Sequence, residues 1–288
     1  MSNQDQTRES MHDERLAFPP EGVKRRSPPW DERWRASGRL QTAMTQNNDS
    51  LDSISIPIEA RLEARLVRRY KRFLADVQLE SGEVRTIHCP NPGSMLGTKE
   101  PGSAVRCSTH DNPKRKLRHT LEMIRVGRSW VGLHAARANT VAERALAAGA
   151  YSPFANYDRI DREVTALEGS RFDFRLSGHP RHDEPCWIEV KSVTLCEKRA
   201  ARFPDAVSVR ARRHLEHLMA RHAAGDRAAL LYIVQRADAD SVAPADDIDP
   251  EYGATLRRAA EAGVEIHALG ASVRADRIVL DRILPVLL

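Results

Sequence analysis

Three side chains in the second half of the chain have the types and spacing to do chemistry together: Asp173, Glu189 and Lys191. Asp173 lies in Ser-Arg-Phe-Asp-Phe (170–174), and the other two lie in Ile188-Glu189-Val190-Lys191. Alternation of apolar and polar residues predicts strands over Arg171–Leu176 and Cys186–Val193. On a strand, alternate side chains share a face. Glu189 and Lys191 therefore point the same way as Trp187, while Ile188 and Val190 point into the core. Arg171 and Asp173 share one face of their strand, with Phe172 and Phe174 on the other. If the two strands are neighbours, the three polar side chains converge. Burying two carboxylates is costly and needs a reason. A hard divalent cation, Mg²⁺ or Mn²⁺, supplies one: it takes oxygen ligands, polarises a phosphate and lowers the pKa of a bound water. The lysine would orient that water or offset developing charge. The same spacing also fits a structural carboxylate–lysine ion pair at a sheet edge.

These strands are expected within a mixed α/β domain over 127–288. Strands are predicted at Trp130–His134 and Arg162–Leu167 as well. A helix is predicted over Asn139–Ala148, with Asn139 as N-cap and Gly149 as stop. The helix Val207–Ala224 ends at Gly225, and Pro250–Ala262 ends at Gly263. Ala228–Gln235 reads as a strand buried on both faces, and Val264–Leu269 as another. In that setting Asp173, fifteen intervening residues, then Glu-x-Lys is the PD-(D/E)xK nuclease pattern.

Upstream, residues 56–126 read differently. Short strand candidates are separated by Ser81-Gly82-Glu83, by Cys89-Pro90-Asn91-Pro92-Gly93, by Pro101-Gly102 and by Asp111-Asn112-Pro113. Five short strands without a long helix predict a small barrel of the OB type, a fold that tracks nucleic-acid backbones. Charge agrees. Residues 61–137 hold 16 Lys and Arg against seven Asp and Glu, whereas the whole chain is only +5. A field concentrated in one segment is the footprint of a polyanion partner. Arg69, Lys71, Arg72, Lys114, Arg115 and Lys116 are the candidate phosphate contacts. Tyr70 and Phe73 beside them are stacking aromatics or core residues. Residues 1–50 hold 12 hydrophobic residues and two Pro-Pro pairs. They read as a disordered leader.

No run of about 20 apolar residues could span a membrane, and the leader lacks the apolar centre of a secretory signal. A cytoplasmic protein is expected. Cys89, Cys107, Cys186 and Cys196 have no CxxC spacing and read as reduced structural residues. No phosphate-cradling glycine loop supports a nucleotide cofactor. His214 and His217 lie three apart on one helix face, in reach of phosphate or metal or simply part of an amphipathic helix.

Several longer stretches carry a resemblance. They are RYKRFLADV (69–77), HCPNPGSMLG (88–97), DNPKRK (111–116), SRFDF (170–174), IEVKSVTL (188–195), FPDAV (203–207) and GVEI (263–266). With them the chain resembles the sugar fermentation stimulation proteins of bacteria and archaea over roughly residues 58–288. The resemblance implies a two-domain α/β (α+β) fold: an N-terminal OB-like barrel, then a PD-(D/E)xK nuclease-like domain with a mixed sheet. It implies largely non-specific DNA binding and a regulatory link to maltose or other sugar metabolism. Carried over by position, Asp173 and Glu189 would be metal ligands, Lys191 the catalytic lysine, and Glu163 and Glu143 auxiliary acids. Asn91 and Arg213 would join the nucleic-acid contacts. Three departures stand out. Pro92 replaces a common Thr, and Ala211 and Arg213 replace a usual Gly and Lys. Arginine keeps the charge but cannot donate a proton at neutral pH. The leader has no counterpart.

Three functions therefore compete. One is an Mg²⁺-dependent nuclease on DNA or RNA, and one is a DNA-binding regulator with a vestigial site. A glycosidase with paired carboxylates ranks last, because aromatics for a sugar cleft are only 5% of the chain. The leader's composition yields a first prediction. Deleting residues 1–50 is expected to leave the melting temperature and DNA affinity unchanged, and calorimetry with a DNA titration checks both.

Overall fold

The computed structural model describes residues 51, 53–166 and 171–288; the leader, Leu167 and Ser170 lie outside them. Strands β2 (Leu62–Tyr70), β3 (Leu74–Leu79), β4 (Val84–His88), β5 (Ala104–Thr109) and β6 (His119–Val126) form the expected barrel. Antiparallel neighbours run β4-β3-β2-β5-β6, and a parallel β4–β6 pairing at His88 and Thr120 closes the ring. Closure removes the open edges that a five-stranded sheet would otherwise present. Leu66, Val77, Ile87, Val105, Leu121 and Ile124 fill the interior.

Both expected limits of this barrel move. Strand β7 (Ser129–Gly132) continues the barrel sheet as a hairpin with β6, so a boundary at 126/127 would cut a turn. Gly127, at positive φ, supplies that turn. At the other end, Ile56 belongs to β1 (Ser55–Pro57), which pairs with the last strand of the α/β sheet and not with the barrel. The barrel is thus inserted between the first strand of the α/β sheet and the rest of it.

The α/β sheet has seven strands, ordered β1-β16-β15-β13-β10-β9-β8. Its members are β8 (Arg159–Thr165), β9 (Arg171–Ser177), β10 (Cys186–Val193), β13 (Arg227–Val234), β15 (Glu265–Val273) and β16 (Arg277–Ile283), besides β1. The three central strands β10, β13 and β15 are parallel, and the outer pairings are antiparallel. That is why Ala228–Val234 reads as continuous apolar sequence: a parallel strand covered on both faces has no polar side. Helix α1 (Ala136–Ala147) packs on one face, with Ile188, Leu231 and Phe154 beneath it. Helices α2 (Val209–Ala223) and α3 (Pro250–Glu261) cover the other, over Trp187, Leu230 and Tyr232. Three short strands, β11 (Leu195–Glu197), β12 (Ala200–Phe203) and β14 (Ser241–Pro244), form a small side sheet. At three or four residues each they show no usable periodicity, so sequence reading passes over them.

Barrel and α/β domain form one compact unit. Strand β6 faces both: Met123 joins the α/β core, while Leu121 and Ile124 join the barrel core. Between them Glu122 is buried. Its carboxylate accepts from Arg137 Nε at 2.7 Å and Nη2 at 2.8 Å, and from the Ser108 hydroxyl. Burial pushes the Glu122 pKa up, but the Arg137 hydrogen bonds and charge outweigh it and hold it below the ordinary carboxylate value. Elsewhere Gly132 N donates to Gln235 O, and a Cβ there would approach Gln235 Oε1 to 2.8 Å.

Arg137→Ala would leave a buried carboxylate without its partner, a change that typically costs about 3–5 kcal/mol. The folded Glu122 pKa is depressed, so the pair stabilises fully above the unfolded value, about 4.3. That contribution fades as pH falls through the folded value. The variant is therefore expected to lose about 3 kcal/mol at pH 7 and less below pH 4, measured by urea unfolding at both.

Candidate functional site

Strand β10 supplies Glu189 and Lys191 from one face, as the alternation predicts. Glu189 has only 4% of its side chain exposed, and Lys191 14%. The neighbouring strand β9 runs antiparallel to it with Phe174 opposite Ile188, and the regular pairing stops there. Beyond that point a side chain replaces the ladder: Asp173 Oδ2 accepts from the Val190 N–H at 2.7 Å. The alternation expected along β9 breaks at the same place. Phe172 packs against Trp187 on the α2 side, while Phe174 packs in the core on the α1 side. Asp173 thereby lies between the two faces, where the sheet parts.

Helix α1 starts at Ala136 with no side-chain cap, so Asn139 is not the N-cap. It lies one turn inside, and its Nδ2 donates to Asp173 Oδ1 at 2.6 Å. From the opposite face α2 brings His214. Lys191 Nζ donates to Glu189 Oε1 at 2.5 Å, and His214 Nδ1 meets the same oxygen. Arg210 Nε donates to His214 Nε2 at 3.4 Å. Helix α2 is itself fixed at its start. Ser208 caps it, and the buried Asp249, which caps α3, accepts from Ser208 N.

The electrostatics split the two acids. Burial and the nearby Glu189 charge push the Asp173 pKa above the ordinary value, with the Val190 N–H, Lys191 and Asn139 opposing. Burial also works against Glu189, but hydrogen bonds and charges from His214 and Lys191 outweigh it and leave its carboxyl below the ordinary range. Both partners act on one oxygen. Glu189 Oε2 is buried and has no hydrogen-bond partner among the described residues. An orphaned carboxylate oxygen next to a second buried carboxylate fits a divalent cation that takes oxygen ligands. The described residues hold no group of three or more His, Cys, Asp and Glu arranged as a cage. A cation here would have Asp173 and Glu189 as protein ligands and complete its shell with water, which suits Mg²⁺.

The other residues singled out from sequence are placed as follows. Glu143, one helical turn past Asn139, is bound by Arg162 at 2.7 Å. Glu163, at positive φ on β8, is bound by Arg171 at 3.1 Å. Neither is brought onto Asp173. Arg213 is exposed and lines a cleft of about 460 Å³ between α2 and α3. Arg69 turns inward. Its Nη2 donates to the carbonyls of Arg72, Asn91 and Gly93 at 2.8–2.9 Å, so it shapes the 89–97 loop. Asn91 is buried, with Oδ1 accepting from Gly93 N in the same loop. Arg115 reaches Thr120 Oγ1, whereas Lys71, Arg72, Lys114 and Lys116 lie on exposed turns. Sequence reasoning did not assign His214 to the site. The only signal was its spacing from His217, which defines a helix face but not what that face meets.

The fold defines a class: an OB barrel built into a mixed-sheet α/β domain. The chain is matched by a family model described as "SfsA N-terminal OB domain" over residues 67–133. A second, the "Sugar fermentation stimulation protein RE domain", matches residues 136–277. The chain belongs to the sugar fermentation stimulation protein family. A homolog from Geobacter sulfurreducens is 47% identical over 222 residues, 77% of this chain and 94% of that protein. One from Syntrophotalea carbinolica is 49% identical over 226 residues, 78% and 96%. The structure of Pyrococcus furiosus SfsA in complex with Ca²⁺ matches with a TM-score of 0.73 at 24% identity, covering 81% of this chain and 98% of that one. No helix among the described residues is long and apolar enough to cross a membrane.

The raised Asp173 pKa has a consequence without metal. The folded state holds that proton to higher pH than the unfolded chain, so stability declines as pH rises from about 3.9 toward the raised value. In a chelator, Asp173→Asn is expected to remove that decline. It should raise the melting temperature by about 2–4 °C at pH 7, the effect of about 1 kcal/mol, and leave it unchanged below pH 4. Differential scanning calorimetry at both pH values measures it.

Proposed function

We propose that this chain is a cytoplasmic, largely sequence-non-specific DNA-binding protein that hydrolyses phosphodiester bonds at a divalent-metal site. The observation that carries the reading is the unpartnered, buried Glu189 Oε2 beside Asp173. A metal between these carboxylates would polarise the scissile phosphate and supply a nucleophilic water. Lys191 is the positive side chain at that point, held by Glu189 at 2.5 Å. It orients the water or offsets charge as the bond breaks. His214 holds Glu189 from above and is in turn held by Arg210. The Ca²⁺ complex of the archaeal relative supports a divalent ion, and Mg²⁺ or Mn²⁺ is the working metal in this reading. Lys71, Arg72, Lys114, Arg115, Lys116 and Arg213 provide the positive surface for phosphates, which carry little sequence information.

A second reading has its own support. Glu143 and Glu163 are bound by arginines, so the auxiliary acids are not on hand. The protein would then be a DNA-binding regulator, linked to maltose or other sugar metabolism, with a vestigial site.

One experiment separates the two. Mg²⁺ or Mn²⁺ at 100 times its Kd is expected to stabilise the parent by about 2.7 kcal/mol, and Asp173→Ala or Glu189→Ala to abolish the increment. Lys191→Ala should keep the metal response and lose cleavage of labelled DNA or RNA. Metal binding without cleavage of any nucleic acid supports the regulator. Separately, log Kd against log salt should slope by about 0.9 per phosphate contacted on duplex DNA. Replacing Lys114, Arg115 and Lys116 by Ala should flatten that slope.

A further inference from the structure

Of the eight large hydrophobic side chains that the described residues leave exposed, four gather along one seam: Phe73 (45% exposed), Leu96 (43%), Val207 (67%) and Val209 (59%). Hydrogen bonds establish the grouping. The Phe73 carbonyl accepts from Cys89 N at the start of the 89–97 loop, and Arg72 Nε donates to Pro92 O. From that loop the Ser94 hydroxyl donates to the Asp205 carbonyl at 2.6 Å, and Met95 N to Asp205 Oδ2 at 2.8 Å. Leu96 N returns to Ser94 Oγ, while Val207 and Val209 follow Asp205 into α2. Contact between the two loops is close enough that a Cβ at Gly93 would lie 2.8 Å from Asp205 Oδ2.

Cations line the seam. Lys71 and Arg72 form the hairpin tip beside Phe73, and Arg72 stacks over its ring at 5.7 Å. Arg210 is at the other end, exposed, one turn and about 6 Å along the helix from His214. Tyr70, by contrast, has its hydroxyl engaged with Asp76. An exposed aromatic and three aliphatic side chains between cations do not suit paired DNA, whose bases are hidden in the stack. They suit a base that has left it: the ring stacks, the methyl groups exclude water, and the cations hold the flanking phosphates.

We infer that this seam receives an unpaired nucleotide of DNA, its base against Phe73, Leu96, Val207 and Val209 and its phosphates against Lys71, Arg72 and Arg210. The inference rests on the DNA-binding reading above and names its substrate class, DNA with single-stranded or unpaired positions. The seam ends at the helix that carries His214, so a nucleotide held there is led toward Glu189.

The test uses the full chain, fluorescence anisotropy, a paired duplex and the same duplex with a short single-stranded gap. The parent is expected to prefer the gapped DNA about tenfold, the effect of about 1.4 kcal/mol of base stacking. Phe73→Ala should bring the ratio of the two affinities close to one, as should Leu96→Ser with Val207→Ser. Phe73→Trp should retain the preference. A 2-aminopurine in the gap should change fluorescence on binding to the parent and not to Phe73→Ala. Equal affinities for both DNAs in the parent would overturn the inference while leaving DNA binding intact. So would an unchanged ratio in the folded Phe73→Ala variant, tighter binding to an RNA of the same sequence, or a dimer in sedimentation that Leu96→Ser with Val207→Ser dissociates. Failure to bind either DNA would overturn the DNA-binding reading itself.

Discussion

A negative charge held almost dry in the middle of a sheet is the constraint around which this domain is arranged. Glu189 is buried on β10 with parallel β13 on one side and a parting sheet on the other. Its charge is tolerable only because Lys191 from its own strand and His214 from α2 reach the same oxygen. That demand fixes the helix. Asp249 and Ser208 pin its first turn, and the loop before it is tied to the barrel through Asp205. On the other face Asn139 and the Val190 N–H hold Asp173 against the burial and the Glu189 repulsion that raise its pKa. Helices on both faces thus converge on two carboxylates, and a barrel loop holds the segment that leads into one of those helices.

The sequence made part of this legible and hid part of it for physical reasons. Strand β10 was readable because Glu189 and Lys191 alternate with Ile188 and Val190 in a clean period of two, and the barrel because its turns are marked by Gly and Pro. The break at Asp173 was not readable. Phe172, Asp173 and Phe174 look like one regular strand, and only the tertiary fold reveals that the two rings pack on opposite faces. Arg69 and Asn91 illustrate the converse. Both have the chemistry of phosphate contacts, yet a loop rich in proline leaves backbone groups without partners, and Arg69 folds inward onto its carbonyls while Asn91 accepts from its Gly93 N–H. Asn139 has the type of an N-cap, but its helix starts three residues earlier, which delivers its amide to the site. Spacing gives direction within an element, and contact between elements decides use.

The two domains are not beads on a string. Their meeting points include a glycine against Gln235, a glycine against Asp205, and a buried ion pair between Glu122 and Arg137. Side chains at the glycines would force the halves apart, and the ion pair loses its value if they separate. The barrel therefore presents its loops to α2 in one fixed relation, not through a flexible tether.

Strand β1 pairs with β16, so the first and last strands of the α/β sheet are neighbours with a whole barrel looped out between β1 and α1. During synthesis the barrel can close on itself early, because its pairings are local. Strand β1 has no partner until the final strand has emerged from the ribosome. Until then Ile56 and Ile58, both buried at the end, lack the strand beside them. Closing so long a loop is the slow step expected of non-local topology. A nascent chain would thus pass through a stage with a finished barrel and an incomplete sheet, and the full seven-stranded order would arrive only with release of the C-terminal segment.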